Sequence, residues 1–115
     1  MTAVRVGVFD YRMSNLASVT KALEHVGAEV VIVRAPSEAD GVDAVVLPGV
    51  GNFGQATEQL AEQGLDDAAR DAVLAGTPLL GICLGMQLLF DDSEESPGTR
   101  GLGLIPGSVC DFRPR

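Results

Sequence analysis

Large aromatic side chains are nearly missing: the 115 residues hold one tyrosine, four phenylalanines and no tryptophan. A core without big rings has to be assembled from aliphatic side chains, and the 46% hydrophobic content supplies them. Basic residues are few, eight against sixteen acidic ones, for a formal net charge of −8. A surface of that sign repels phosphate backbones and anionic lipid headgroups, which argues against nucleic acid and membrane surfaces as partners. No apolar run approaches the roughly 18 residues of a membrane span. Cysteine is limited to Cys83 and Cys110, and histidine to His25. That is too little for a disulfide framework or a zinc site, so no metal is expected. The start, Met1-Thr2-Ala3-Val4-Arg5, lacks the apolar stretch of a signal peptide. A reducing cytoplasm is the expected location, and it suits a reactive thiol.

What is present is a chain of single-domain length whose apolar runs alternate between two periods. Val4–Phe9, Glu29–Arg34, Asp43–Leu47 and Pro78–Gly81 read as strands. The continuous run Val30-Val31-Ile32-Val33 suits a strand covered on both faces, as in a parallel sheet. Leu16, Val19, Leu23 and Val26 recur at helical spacing, with Ser14 or Asn15 as cap and Gly27 as stop. Helices are also predicted over 55–63 and over 65–75, the second ended by Gly76. Segment 93–101 reads as an exposed acidic loop, and 103–112 as short strands around a Pro-Gly turn, with Cys110 packed. Strands alternating with helices predict an α/β, doubly wound, mostly parallel sheet of the three-layer flavodoxin or Rossmann type.

Two glycine-rich turns carry the chemistry. Gly81-Ile82-Cys83-Leu84-Gly85 follows a strand and opens a helix predicted to fade at Asp91. That is the G-x-nucleophile-x-G elbow, with sulfur as nucleophile. Such a turn strains the nucleophile's backbone, lifts the thiol to the end of the sheet and sets it at a helix N-terminus, which favours thiolate. Alone, the pattern also fits a core cysteine packed between Ile82 and Leu84. The other turn, Gly49-Val50-Gly51-Asn52-Phe53-Gly54, matches G-x-G-x-x-G and admits a dinucleotide-binding reading. Against that, Pro48 separates strand from glycine, and Asp66, Asp67 and Asp71 fall in a helical pattern rather than at a strand end. A third reading joins the turns, because parallel neighbours end at the same edge of a sheet, where ligands bind. N–H groups of Val50, Gly51 and Leu84 would then form an oxyanion hole facing the carbonyl that Cys83 attacks.

Leu47-Pro48-Gly49-Val50-Gly51 followed by Gly81-Ile82-Cys83-Leu84-Gly85-Met86-Gln87 strongly resembles the class I (triad) glutamine amidotransferases. Within them the resemblance is to the glutaminase subunits of imidazole glycerol phosphate synthases. Asp10-Tyr11-x-Met13-x-Asn15, Ala22–Ala28 and Gly101–Gly107 fit the same group. The resemblance implies that Cys83 attacks the side-chain amide of glutamine, giving a thioester and ammonia. It implies oxyanion contacts from Val50, Gly51 and Leu84, and substrate contacts from Gly49, Gly51 and Gln87. Ammonia would pass to a (β/α)8-barrel synthase subunit that makes imidazole glycerol phosphate and AICAR, and no cofactor is expected. Other elbow-cysteine proteins of the DJ-1/PfpI type share the turn but lack the Pro48–Gly51 loop and Gln87.

The sequence departs from that family in two respects. The family's histidine and glutamate come from a later part of the chain, and His25, on the flank of the first helix, is a poor substitute. Glu94 and Glu95 read as loop charges, since an acid without histidine completes no triad. Residues 1–115 therefore read as the N-terminal part of a single amidotransferase domain, with little glutaminase activity by themselves. Half a sheet exposes an apolar edge, so association between copies of the chain is expected. Lastly, Arg12 and Ser14 stand where the family usually has glycine, in a loop near the synthase interface.

Overall fold

The computed structural model describes residues 3–12 and 15–112. Four strands, β1 (Arg5–Phe9), β2 (Glu29–Val33), β3 (Ala44–Leu47) and β4 (Leu79–Gly81), form one parallel sheet in the order β2-β1-β3-β4. The chain runs outward from β1 to β2, then returns to lay β3 on the other side of β1. A topological switch point therefore lies between the carboxyl ends of β1 and β3, where ligands bind in folds of this class.

Alternation along the apolar strands divides the core in two. Phe9, Val45 and Leu47 pack with Phe53, Ala56 and Leu60 of α2 (Phe53–Glu62) and Leu65 and Ala69 of α3 (Leu65–Leu74). Val6, Val8 and Val46 pack on the opposite face against Leu16, Val19 and Leu23 of α1 (Leu16–His25). Both glycine stops are Schellman caps: Ala28 N–H donates to Leu23 O, and Thr77 N–H to Ala72 O, across Gly27 and Gly76 at positive φ. Asn15 occupies the N-cap of α1 without a side-chain cap bond, its ψ of 81° lying short of the usual extended value. Met13 and Ser14 lie outside the described residues. The second face is only partly covered, because α1 contributes no fully buried residue and Leu80 on edge strand β4 stays 59% exposed. No helix among the described residues is long and apolar enough to cross a membrane.

The carboxyl-terminal third differs from the sequence expectation. The helix after Cys83 is a single turn, α4 (Leu84–Gln87), rather than one reaching Asp91. Its continuation is cut off because Leu102, Gly103, Leu104 and Ile105 N–H groups donate to the carbonyls of Leu88, Phe90 and Leu89. Those residues serve as a cap instead of the strand their composition suggested. Two-residue pieces, β5 (Asp92–Ser93) and β6 (Ser108–Val109), pair here, and Asp92 also bridges Arg100. Cys110 falls just beyond β6 and is exposed, not packed.

Candidate active site

Cys83 sits at the carboxyl end of β4 with φ +56° and ψ −122°, one of two non-glycine residues at positive φ among those described. That conformation is unfavourable for a residue with a Cβ and persists only where the surroundings enforce it. They do so through close backbone packing. A Cβ on Gly85 would overlap the Leu47 carbonyl, and one on Gly81 would come within 2.7 Å of Met86 Cα. Ile82 N–H donates to Leu47 O at 3.0 Å, tying the turn to β3. The side chain of Cys83 is exposed, so it is not a core cysteine packed between Ile82 and Leu84.

The Pro48–Gly51 loop leaves β3 beside this elbow. Pro48 and Gly49 are buried, whereas Val50 and Gly51 are exposed. Glycine serves two purposes here. At 49 the backbone passes so near that a Cβ would overlap the Tyr11 hydroxyl and lie 2.9 Å from Gly85 N. At 51 the φ of +104° is itself the requirement. Leu84 N–H, one of the three expected oxyanion donors, points into this loop and donates to Gly49 O at 3.2 Å. Gly85, Met86 and Gln87 N–H groups donate to Ile82 O and Cys83 O, so the donors at the start of α4 are occupied by backbone in this conformation. With four residues, α4 brings few aligned peptides to bear on the thiol, and the expected dipole contribution is correspondingly small. Gln87, one turn after Cys83, is half-buried.

Tyr11, which the sequence reading left without a role, is fully buried at the switch point and donates its hydroxyl to Pro48 O. Burial pushes its phenol well above the ordinary range, so it remains a donor at all working pH values. The signal for this residue was the lone tyrosine of a ring-poor chain, placed just after β1. Neighbouring Arg12 holds φ +70°, the conformation that a glycine at this position would accept without strain.

The dinucleotide reading of Gly49–Gly54 fails on the same geometry. That reading needs unfilled N–H groups at the start of α2 to receive a pyrophosphate. Here Glu95 accepts from Phe53 N–H at 3.0 Å, Ser96 Oγ from Gly54 N–H at 2.9 Å, and Asn52 Oδ1 from Gln55 N–H at 3.1 Å. Glu95 thus joins the N-cap Asn52 in closing the start of α2 rather than being a free loop charge, and Glu94 accepts from Asp111 N–H at 3.2 Å. Asp66, Asp67 and Asp71 lie within α3 as expected. His25 ends α1, at the edge of the sheet opposite the elbow, and Cys83 is not brought near it. Among the described residues no group of three or more His, Cys, Asp or Glu is placed to hold a metal.

Comparison with known proteins agrees with this geometry. Residues 7–100 match the family described as glutamine amidotransferase class-I. The imidazole glycerol phosphate synthase subunit HisH of Geobacillus thermodenitrificans is 54% identical over 107 residues, 93% of this chain and 50% of that protein. The subunit of the same name from Methanopyrus kandleri is 52% identical over 105 residues, 91% of this chain and 52% of that protein. The chain therefore spans about half the length of the curated relatives it matches. Among solved structures, a glutamine amidotransferase superposes with a TM-score of 0.78 at 27% identity, over 91% of this chain and 55% of the other. PurLQS from Thermotoga maritima does so with a TM-score of 0.65 at 26% identity, over 76% of this chain and 43% of the other.

Proposed function

This chain belongs to the class-I glutamine amidotransferase family, and on that premise we propose that it carries the nucleophilic half of a glutaminase site serving histidine biosynthesis. Cys83 Sγ attacks Cδ of glutamine, the C–N bond breaks, and ammonia leaves with the proton it gains. Water then cleaves the thioester to glutamate. Val50, Gly51 and Leu84 N–H groups receive the developing oxyanion once Leu84 is released from Gly49 O. Gly49, Gly51 and Gln87 hold the substrate. The proton acceptor comes from the part of the family's length that this chain does not match, since His25 lies at the wrong edge of the sheet. Ammonia is delivered to a (β/α)8-barrel synthase subunit that forms imidazole glycerol phosphate and AICAR.

The observation that carries this reading is the exposed Cys83 at φ +56°, one strand away from the Pro48–Gly51 loop. The experiment is labelling with the glutamine-analogue electrophile diazo-oxonorleucine, followed by peptide mapping. The adduct is expected on Cys83 and is abolished by Cys83→Ser but not by Cys110→Ser. Labelling at Cys110 overturns the assignment. Rapid glutamine hydrolysis by these 115 residues alone would overturn the claim that the proton acceptor lies elsewhere.

A further inference from the structure

The Tyr11 hydroxyl reaches across the switch point from the end of β1 to the main chain leaving β3, and its acceptor is the carbonyl of Pro48. We propose that Tyr11 is a positioning residue for the oxyanion loop, clamping its buried stem so that only Val50 and Gly51 are free to move. The proposal rests on the glutaminase reading for its functional consequence, but not for the clamp itself.

Three observations carry it. Tyr11 is held rigidly from its own side: Asp10 O accepts from Gln63 Nε2 at 2.8 Å, and the Asp10 carboxylate pairs with Arg34 at 2.8 Å. The ring is fully buried, so its rotamer is set by packing with the core, and the hydroxyl is a fixed donor. The loop changes character beside the contact. Pro48 and Gly49 are buried under Tyr11, while Val50 and Gly51 beyond them are exposed.

The clamp also fits the close approach at Gly49. The Tyr11 hydroxyl occupies the space where a side chain at 49 would stand, and Gly85 N lies on the same side. Ring, loop and elbow are therefore in mutual contact, and Gly49 O is the acceptor for Leu84 N–H. Fixing the Pro48 carbonyl fixes the direction in which the Gly49 peptide leaves the stem. That direction decides how the Val50 and Gly51 N–H groups present to an oxyanion. A donor misplaced there loses its effect even though it is still present.

Tyr11→Phe deletes one oxygen and keeps the ring. Hydrogen exchange of the 115-residue chain is expected to quicken about fivefold at Leu84, whose N–H rests on Gly49 O, as loss of one hydrogen bond predicts. Amides of β3 keep their wild-type rates. Unchanged exchange at Leu84 overturns the proposal, and so does equal acceleration of Leu84 and β3, which would mark general packing. In the synthase-bound enzyme the variant is expected to lose about tenfold in kcat for glutamine hydrolysis, with KM within twofold and Cys83 alkylation by iodoacetamide unchanged. A raised KM at unchanged kcat overturns it. Acceleration confined to Leu84 in a chain whose wild-type Cys83 is not labelled by diazo-oxonorleucine would remove the proposed function and leave the clamp standing.

Discussion

Two strand-to-helix junctions leave the carboxyl edge of the sheet side by side, β3 into α2 and β4 into α4, and both are written in glycine. They are put to opposite uses. At the first, the amides of α2 are closed by Glu95, Ser96 and Asn52, and the turn serves as a loop over its neighbour. At the second, the turn is wound so tightly that Cys83 is forced to positive φ and its side chain is driven outward. A glycine pattern thus signals a tight turn, and the partners of the adjacent N–H groups decide its chemistry.

The contrast is broken most severely at Gly85. Gly85→Ala sets a methyl group against the Leu47 carbonyl, and a loss of about 3 kcal/mol is expected in urea unfolding. The elbow then cannot close on β3, and Cys83 should lose its reaction with diazo-oxonorleucine as well.

A milder change reopens the first junction. Glu95→Ala removes the acceptor of Phe53 N–H, and about 1 kcal/mol of stability is expected to go with it, measured the same way. Calorimetry should still detect no NAD binding, because Ser96 and Asn52 continue to fill the next two donors. Heat of NAD binding in this variant would revive the dinucleotide reading.

The smallest effect has the opposite sign. Cys83→Gly relieves the strained φ and is expected to stabilise the chain by up to about 1 kcal/mol, after the greater freedom of glycine in the unfolded state is counted. Cys83→Ala keeps the strain and should show no such gain. A gain for alanine as large as for glycine would mean that the backbone at 83 is unstrained.

Local signals were readable wherever one residue and its near neighbours suffice. Gly27 and Gly76 end helices because only their own φ and the next few amides are involved. The apolar run of β2 read as a covered strand, and its alternate residues do pack on opposite faces, Val31 and Val33 on one and Val30 and Ile32 on the other. Signals failed where the partner is remote. Glu95 read as a loop charge because its acceptor role depends on Phe53, 42 residues away. The elbow helix was read as longer than one turn because the amides that cut it short belong to residues 102–105. Tyr11 was read only as part of the Asp10–Asn15 resemblance, without a role, and its partner Pro48 is 37 positions distant.

By itself, then, the sequence determined the alternation of strands and helices, the parallel class of the sheet and the turn that holds Cys83. Periodicity, apolar content and glycine at fixed spacing are properties of the local chain. The tertiary structure alone decided which N–H groups are filled, that Leu84 N–H rests on Gly49 O, and that the buried Tyr11 hydroxyl donates to Pro48 O near Cys83. Those are contacts between segments far apart in sequence, and they exist only once the sheet has brought the ends of β1, β3 and β4 to one edge.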